Sequence, residues 1–294
     1  MIIPNHIQIE TVNGLCTASC NMCTISNWKR DPNIMDNITY IKILKNFLDY
    51  QQNIKYITLH GCGEPLLDDN LSEKIKIAKE MNFSGIGFAT NCTELSEDIS
   101  CNLIESGLDT IICSIDGIKK DTHESIRKGT NFEKVVSNVL KFIQLRNRIG
   151  KTKILIRFIR QEINNQEWPE FFSYWTGKLD CNFGDQVIRF DIHNWGDKLT
   201  HYKTKDVNSS VGFNKVVCEY IYDRIVVYSN GDMGFCCADD NGFFNLGNVS
   251  DCDPISIYNN NPFNYYRKMM QEGRIDELEH CRYCTIPRSR ALRL

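Results

Sequence analysis

Six short apolar runs, each followed by helical periodicity or a chemically marked loop, leave this chain few ways to fold. The runs are 7–12, 56–60, 86–89, 110–115, 154–159 and 187–192. The first alternates in the manner of a strand; the others are nearly continuously apolar. Between them, residues 39–50 place Tyr40, Ile43, Leu44, Phe47 and Leu48 on one helical face. Residues 132–148 do the same with Val135, Val136, Val139, Leu140 and Ile143. Helical spacing also marks 71–81, 96–106 and 166–175, and Gly107 stands where a helix C-cap would. Strands that are apolar on both faces need cover on both faces. The alternation therefore predicts an α/β fold, a parallel sheet, curved or open, wrapped by helices. In such folds ligands gather at the C-terminal ends of the strands.

The loop after the first run reads Cys16-Thr-Ala-Ser-Cys20-Asn-Met-Cys23. Thiols this close in sequence can face one point. Thiolates are soft ligands suited to iron–sulfur clusters, zinc and Cu(I). A closed structural zinc site takes four protein ligands. Three thiolates instead leave one iron of a four-iron cluster open to a small molecule. A zinc-binding or purely structural trio is the alternative. The next loop, Gly61-Cys62-Gly63-Glu64-Pro65, offers two glycines for close backbone approach and Glu64 as an acceptor for an ammonium group. The bland alternative is a tight turn with a solvated acid. Thr90-Asn91 ends the third run. Ser114 and Asp116 close the fourth, placed to bond a ribose or a carboxylate, or to form an Asx turn into Gly117. Asp191 and His193 share one face at the end of the sixth, to bind substrate hydroxyls or take a proton, or to stand as a structural pair. Arg157 reaches inward from the fifth run, and Trp195 would stack on a ring or pack in the core.

Residues 197–215 are polar and aperiodic and read as a linker. Beyond them, 224–228 and 233–236 flank Ser229-Asn230-Gly231-Asp232 as a hairpin, and 264–272 as a short helix. Cys218-x12-Gly231-x4-Cys236 and Cys281-x2-Cys284 supply four thiols for a closed site, either a zinc ribbon or an iron–sulfur cluster. Cys237 points away from its neighbour along a strand and is a small buried thiol or something more. Cys92, Cys101, Cys113, Cys181 and Cys252 are assigned to packing, and His6, His60, His123, His201 and His280 show no metal spacing.

The N-terminal trio, with the glycine-rich loop one strand later, resembles the radical S-adenosylmethionine (AdoMet) enzymes. The C-terminal thiols resemble the auxiliary-cluster region of their SPASM/Twitch branch, in its shorter Twitch form because no Cys follows Cys284. The resemblance implies a partial (β/α)6 TIM-like barrel over 1–196 and a small α+β Twitch/SPASM-like iron–sulfur domain over 216–294. It implies that Cys16, Cys20 and Cys23 hold a 4Fe–4S cluster whose open iron takes the amino and carboxylate groups of AdoMet. Gly61, Gly63, Glu64, Asn91, Ser114, Asp116 and Arg127, the last in Asp121–Gly129, would bind AdoMet, with Cys62 a tolerated variant where many members have Gly. Cys218, Cys236, Cys281 and Cys284 would hold one auxiliary 4Fe–4S cluster that moves electrons. The implied activity is reductive cleavage of AdoMet and hydrogen-atom abstraction from an unactivated C–H. Loss of an electron then gives a dehydrogenase, and return of a hydrogen atom, with Cys237 as donor, an epimerase. A flavodoxin or ferredoxin would be the electron donor. The short stretch before Cys16 leaves no room for a peptide-recognition domain, which favours a sugar or aminocyclitol substrate over a ribosomally made peptide. Outside catalysis, a non-catalytic iron–sulfur electron carrier or a zinc protein remains.

The bulk properties agree with this expectation. Fourteen Cys without an N-terminal basic-then-apolar segment point to metal binding in a reducing cytoplasm. A net charge of −3 with no basic excess argues against a nucleic-acid partner. No stretch approaches the ~20 apolar residues that a membrane span requires.

Overall fold

The apolar runs become strands, and the longer helices cover them with the faces their spacing predicts, except that Leu48, expected on the buried face of the first, is exposed. The computed structural model describes residues 1–196, 198, 199 and 217–287. The linker expected at 197–215 lies outside the described residues except for Lys198 and Leu199. One sheet organises the molecule: β1 (His6–Ile9), β2 (Tyr56–Thr58), β3 (Ile86–Thr90), β4 (Thr110–Ser114), β5 (Lys153–Arg160), β6 (Gln186–Asp191), β7 (Arg224–Val227) and β8 (Met233–Gly234). Its order is β6-β5-β4-β3-β2-β1-β7-β8. The pairs from β6 through β7 are all parallel, and β8 alone runs antiparallel to its neighbour. From β1 to β6, strands consecutive in sequence are neighbours in the sheet, each pair joined by a crossover; β7 instead returns to pair with β1. The result is a partial (β/α)6 barrel extended by a hairpin. The sequence reading places that hairpin in a separate C-terminal unit. In the structure β7 continues the barrel sheet, with Ile7 opposite Ile225 and Ile9 opposite Val227.

The helices are α1 (Asn37–Asn46), α2 (Leu71–Glu80), α3 (Glu97–Glu105), α4 (Lys120–Ile126), α5 (Phe132–Ile149), α6 (Trp168–Thr176), α7 (Tyr220–Asp223), α8 (Pro254–Tyr258) and α9 (Phe263–Gln271). Helix α5 buries Val135, Val139, Phe142, Ile143 and Arg146, one stripe of 3.6 periodicity. Asn131 caps it by accepting from Lys134 N, and Ser96 caps α3 by accepting from Ile99 N. The spacing predicts α1 through residue 50, but a 3-10 turn, Leu48–Asn53, takes over after Phe47. Helices α4, α7 and α8 had no sequence expectation; each is under eight residues, too short for periodicity to register.

Strand β5 shows what the sheet separates. Ile154, Ile156 and Phe158 are fully buried under the helices, whereas Leu155, Arg157 and Ile159 on the opposite face are only half-buried. Burying such aliphatic and aromatic side chains contributes roughly 1.5–3 kcal/mol each. The concave face therefore lines a space rather than a packed core.

Candidate functional site

The loop after β1 is fixed from two sides. The pair Ser19–Cys20 runs antiparallel to Arg127–Lys128, with Cys20 opposite Arg127. Gly14 N donates to Cys62 O at 2.8 Å and Glu64 N to Leu15 O at 2.9 Å, stitching the glycine-rich loop to the cysteine loop. A Cβ on Gly63 would sit 2.4 Å from the carbonyl oxygen of Val12, and one on Gly61 2.7 Å from Cβ of Glu10. The two glycines are thus required by loop-on-loop packing.

These loops open onto a cavity of about 330 Å³. Cys16, Cys20 and Cys23 line it, together with Gly61, Gly63, Glu64, Asn91, Ser114, Arg127, His193 and Cys237. Asn91 Nδ2 donates to Thr17 Oγ1 at 3.0 Å and to Cys16 Sγ at 3.7 Å. Ala18 N approaches Cys16 Sγ at 3.4 Å, and Arg127 Nη1 approaches Cys20 Sγ at 3.6 Å. Burial pushes the Cys16 thiol up to about 11 and Cys23 up to about 12. The trio stays protonated unless a metal displaces the protons. Glu64 accepts from Thr90 Oγ1 at 2.6 Å, Asn91 N at 2.9 Å and Leu66 N at 3.2 Å, and burial raises its pKa. It faces the cavity while locking the end of β3 to the glycine loop.

Two residues named from sequence do not face this cavity. Asp191 is exposed and paired with Arg160 at 2.7 Å. Strand β6 ends at Asp191, so the alternation that would have aligned it with His193 stops there, and Ile192 and His193 both turn inward. Asp116 is fully buried behind the wall. It pairs with Arg127 Nη2 at 2.8 Å and accepts from Ile159 N at 2.6 Å, so it positions Arg127 and does not reach a ligand. The packing assigned to Cys181 and Cys252 is also corrected: both are exposed, in a turn before β6 and a loop before α8.

A second cavity, of about 350 Å³, is lined by Cys218, Cys236, Cys281 and Cys284. Burial pushes Cys218 up to about 12. Trp195, Cys236 and Asp239 line both cavities and form the wall between them. Cys237 lines only the first; strand β8 ends at Gly234, so a turn and not the expected strand alternation sets the two thiols apart. Among the described residues no three His, Cys, Asp or Glu side chains converge as a single metal ion requires. A four-iron cluster holds its cysteines around a cube, so thiols that line a cavity of this size fit it.

Several residues here escaped the sequence reading. Glu10 meets Arg30 through two contacts of 2.7 Å and accepts from Cys62 N and Ser229 N, joining β1, the glycine loop and the hairpin. Asn194 donates to Tyr283 O and accepts from Thr285 N, holding the Cys281–Cys284 segment against the end of β6. His60, Gln8 and Arg224 line the cavity floor. Inward alternation on β1 and β7 was the available signal for Gln8 and Arg224. Glu10 and Asn194 carried none. Burial, then the charge of Arg157, lowers His193 to about 4, so its imidazole is neutral near pH 7.

A family model described as the Radical SAM superfamily matches residues 11–167, and one described as an iron–sulfur cluster-binding domain, SPASM, matches 218–285. The tungsten-containing aldehyde ferredoxin oxidoreductase cofactor-modifying protein of Pyrococcus furiosus is 25% identical over 175 residues, 58% of this chain and 47% of that protein. A probable GTP 3',8-cyclase of Methanothermobacter marburgensis is 31% identical over 161 residues, 55% of this chain and 51% of that protein. The chain spans roughly half the length of these two curated relatives. Among solved structures, BtrN in complex with AdoMet and 2-DOIA has a TM-score of 0.65 at 20% identity, covering 96% of this chain and 93% of that one. Streptococcus suis SuiB bound to precursor peptide SuiA has 0.70 at 14%, covering 98% and 71%. Native anSMEcpe with bound AdoMet has 0.67 at 17%, covering 96% and 88%. These structural likenesses are likenesses of fold.

Proposed function

The chain belongs to the radical SAM superfamily and carries a SPASM iron–sulfur domain, and on that premise we propose that it inverts a carbon centre of a sugar- or aminocyclitol-type small molecule. The two domains imply a 4Fe–4S cluster that binds AdoMet and further, auxiliary cluster chemistry. Cys16, Cys20 and Cys23 would hold the first cluster, and Cys218, Cys236, Cys281 and Cys284 a second. When bound, the first cluster and AdoMet supply a 5′-deoxyadenosyl radical that takes a hydrogen atom from an unactivated C–H.

The observation that carries the reading is the placement of Cys237 on the wall of the cavity that the N-terminal trio lines. Its S–H bond breaks as a new C–H bond forms on the opposite face of the substrate carbon. One electron and one proton, from a low-potential donor of the flavodoxin or ferredoxin class, restore the thiol. Neutral His193, with Gln8 and His60, offers hydrogen bonds to substrate hydroxyls without placing a titrating charge beside a radical. Trp195, whose indole N donates to Met22 O at 3.0 Å, shields the cavity from the second site. The near end-to-end likeness to BtrN, solved with AdoMet and 2-DOIA, supports a small substrate.

A second reading, dehydrogenation, is favoured by Cys236, which lines both cavities and would bring an electron acceptor next to the substrate. The test is turnover in D2O with a panel of sugars, aminocyclitols and short peptides. Epimerisation incorporates one solvent deuterium into product, and Cys237→Ala abolishes that incorporation while 5′-deoxyadenosine still forms. A ketone product that Cys237→Ala makes equally well establishes dehydrogenation instead. A peptide as the sole substrate refutes the small-molecule reading.

A further inference from the structure

The floor of the first cavity carries two guanidinium groups, and among the described residues no acid pairs with either. Three carboxylates line the cavity, and each is engaged. Glu10 holds Arg30 and two backbone N–H groups. Glu64 accepts from three donors. Asp239 accepts from Phe235 N and Phe243 N. Arg127 is neutralised by Asp116. Arg157 and Arg224, from β5 and β7, also line the cavity, and among the described residues neither has a carboxylate within ion-pair distance. Arg157 donates from Nη2 to Ser114 Oγ at 2.7 Å, and Arg224 from Nη1 to Gln8 Oε1 at 3.2 Å; both acceptors are neutral. The Nε of each is buried without a hydrogen-bond partner, and so is Nδ1 of His60. Burial, and then the positive charge of Arg157 and Arg224, pushes His60 down to about 3. The floor is therefore two guanidiniums flanking a neutral imidazole.

Burying guanidinium groups without counter-charge is costly, and proteins tolerate it where a ligand brings the charge. AdoMet does not bring it. Its amino and carboxylate groups would be taken up by the open iron, and its sulfonium would add positive charge to the cavity. Planar, forked guanidiniums match oxyanions through paired hydrogen bonds. We propose that Arg157 and Arg224, with His60 between them, form a subsite for an oxyanion carried by the substrate, so that the enzyme acts on a sugar acid or a sugar phosphate rather than a neutral sugar. This rests on the small-molecule reading above.

The test needs no turnover, so it is separable from that reading, whose failure would show as absent AdoMet cleavage or a peptide substrate. Cluster-reconstituted, unreduced protein saturated with AdoMet is unfolded thermally in 10 mM acetate, 10 mM inorganic phosphate, or chloride of equal ionic strength. A subsite of millimolar affinity raises the midpoint by about 3 °C over chloride. A larger shift with acetate identifies a carboxylate, and a larger shift with phosphate a phosphate ester. Arg224→Met and Arg157→Met each remove the shift, Arg224→Lys retains part of it, and AdoMet affinity in Arg224→Met stays within about threefold of the parent by the same ligand linkage. Equal midpoints in all three salts overturn the proposal without reference to any variant. So does an anion shift that survives in Arg224→Met, or a loss of AdoMet affinity parallel to the loss of anion binding, which would assign the arginines to AdoMet.

Discussion

Replacing Asp116 by Asn tests whether a residue that touches no ligand holds the site together. Asp116 is fully buried, Arg127 nearly so, and their ion pair measures 2.8 Å. Asn fills the same space and can still accept from Ile159 N, as Asp116 does at 2.6 Å. Its Nδ2 then faces the guanidinium, donor against donor. Removing one partner of a buried pair costs about 3–5 kcal/mol because a charge is left uncompensated. Arg127 keeps a weak acceptor in Cys20 Sγ at 3.6 Å and some exposure to the cavity, so the lower end applies, about 3 kcal/mol. Urea unfolding of the cluster-free, reduced protein reads this directly, apart from any stability the metal adds. The double variant Asp116→Asn/Arg127→Met removes both charges and should recover most of the loss, a coupling of about 2 kcal/mol. A loss below about 1 kcal/mol in the single variant, or a double variant as unstable as the sum of the singles, refutes the reasoning.

Gly63→Ala drives a methyl into the Val12 carbonyl, a contact of 2.4 Å that only backbone movement can relieve. The expected result is a folded protein whose AdoMet affinity, measured by equilibrium dialysis, falls at least about tenfold, the equivalent of about 1.4 kcal/mol. Acid should weaken the fold through His123, which is fully buried and held neutral, by burial and then by Arg127, down to about 3 against the usual 6.5. Below pH 6.5 the unfolded chain takes up a proton that the folded protein refuses. Stability is therefore full above that pH and falls as pH drops toward 3, at about 1.4 kcal/mol per unit. His6 and His60 are shifted in the same direction, so urea midpoints should fall between pH 7 and 5, and a flat profile would contradict the assignment.

Much of this was legible in the sequence because it is carried by local pattern. Short apolar runs bounded by turn residues read as buried strands, and the spacing of Val135, Val139 and Ile143 as one helix face, so sheet and helices follow. The Cys spacings and the glycine loop place ligands on loops that the topology already brings together. What was not legible depends on where a strand ends and on long-range pairing. Asp191 was misread because β6 stops at that residue, so the inward alternation could not be carried on to His193. Asp116 was misread because its partner, Arg127, lies beyond a helix too short to see by periodicity. The union of β7 with β1 joins residues more than two hundred apart, a register that neither segment encodes alone. Glu10 with Arg30, and Asn194 with Thr285, are tertiary clamps of the same kind.

The most direct measurement is 5′-deoxyadenosine release from anaerobically reconstituted, dithionite-reduced protein given AdoMet, with iron counted in the same sample. The parent should hold about eight irons per chain and release the nucleoside, whereas Cys16→Ala/Cys20→Ala/Cys23→Ala should keep about four and release none. Release that persists in the triple variant, or a parent with full iron and no release, would contradict an AdoMet-cleaving centre built on those three thiols.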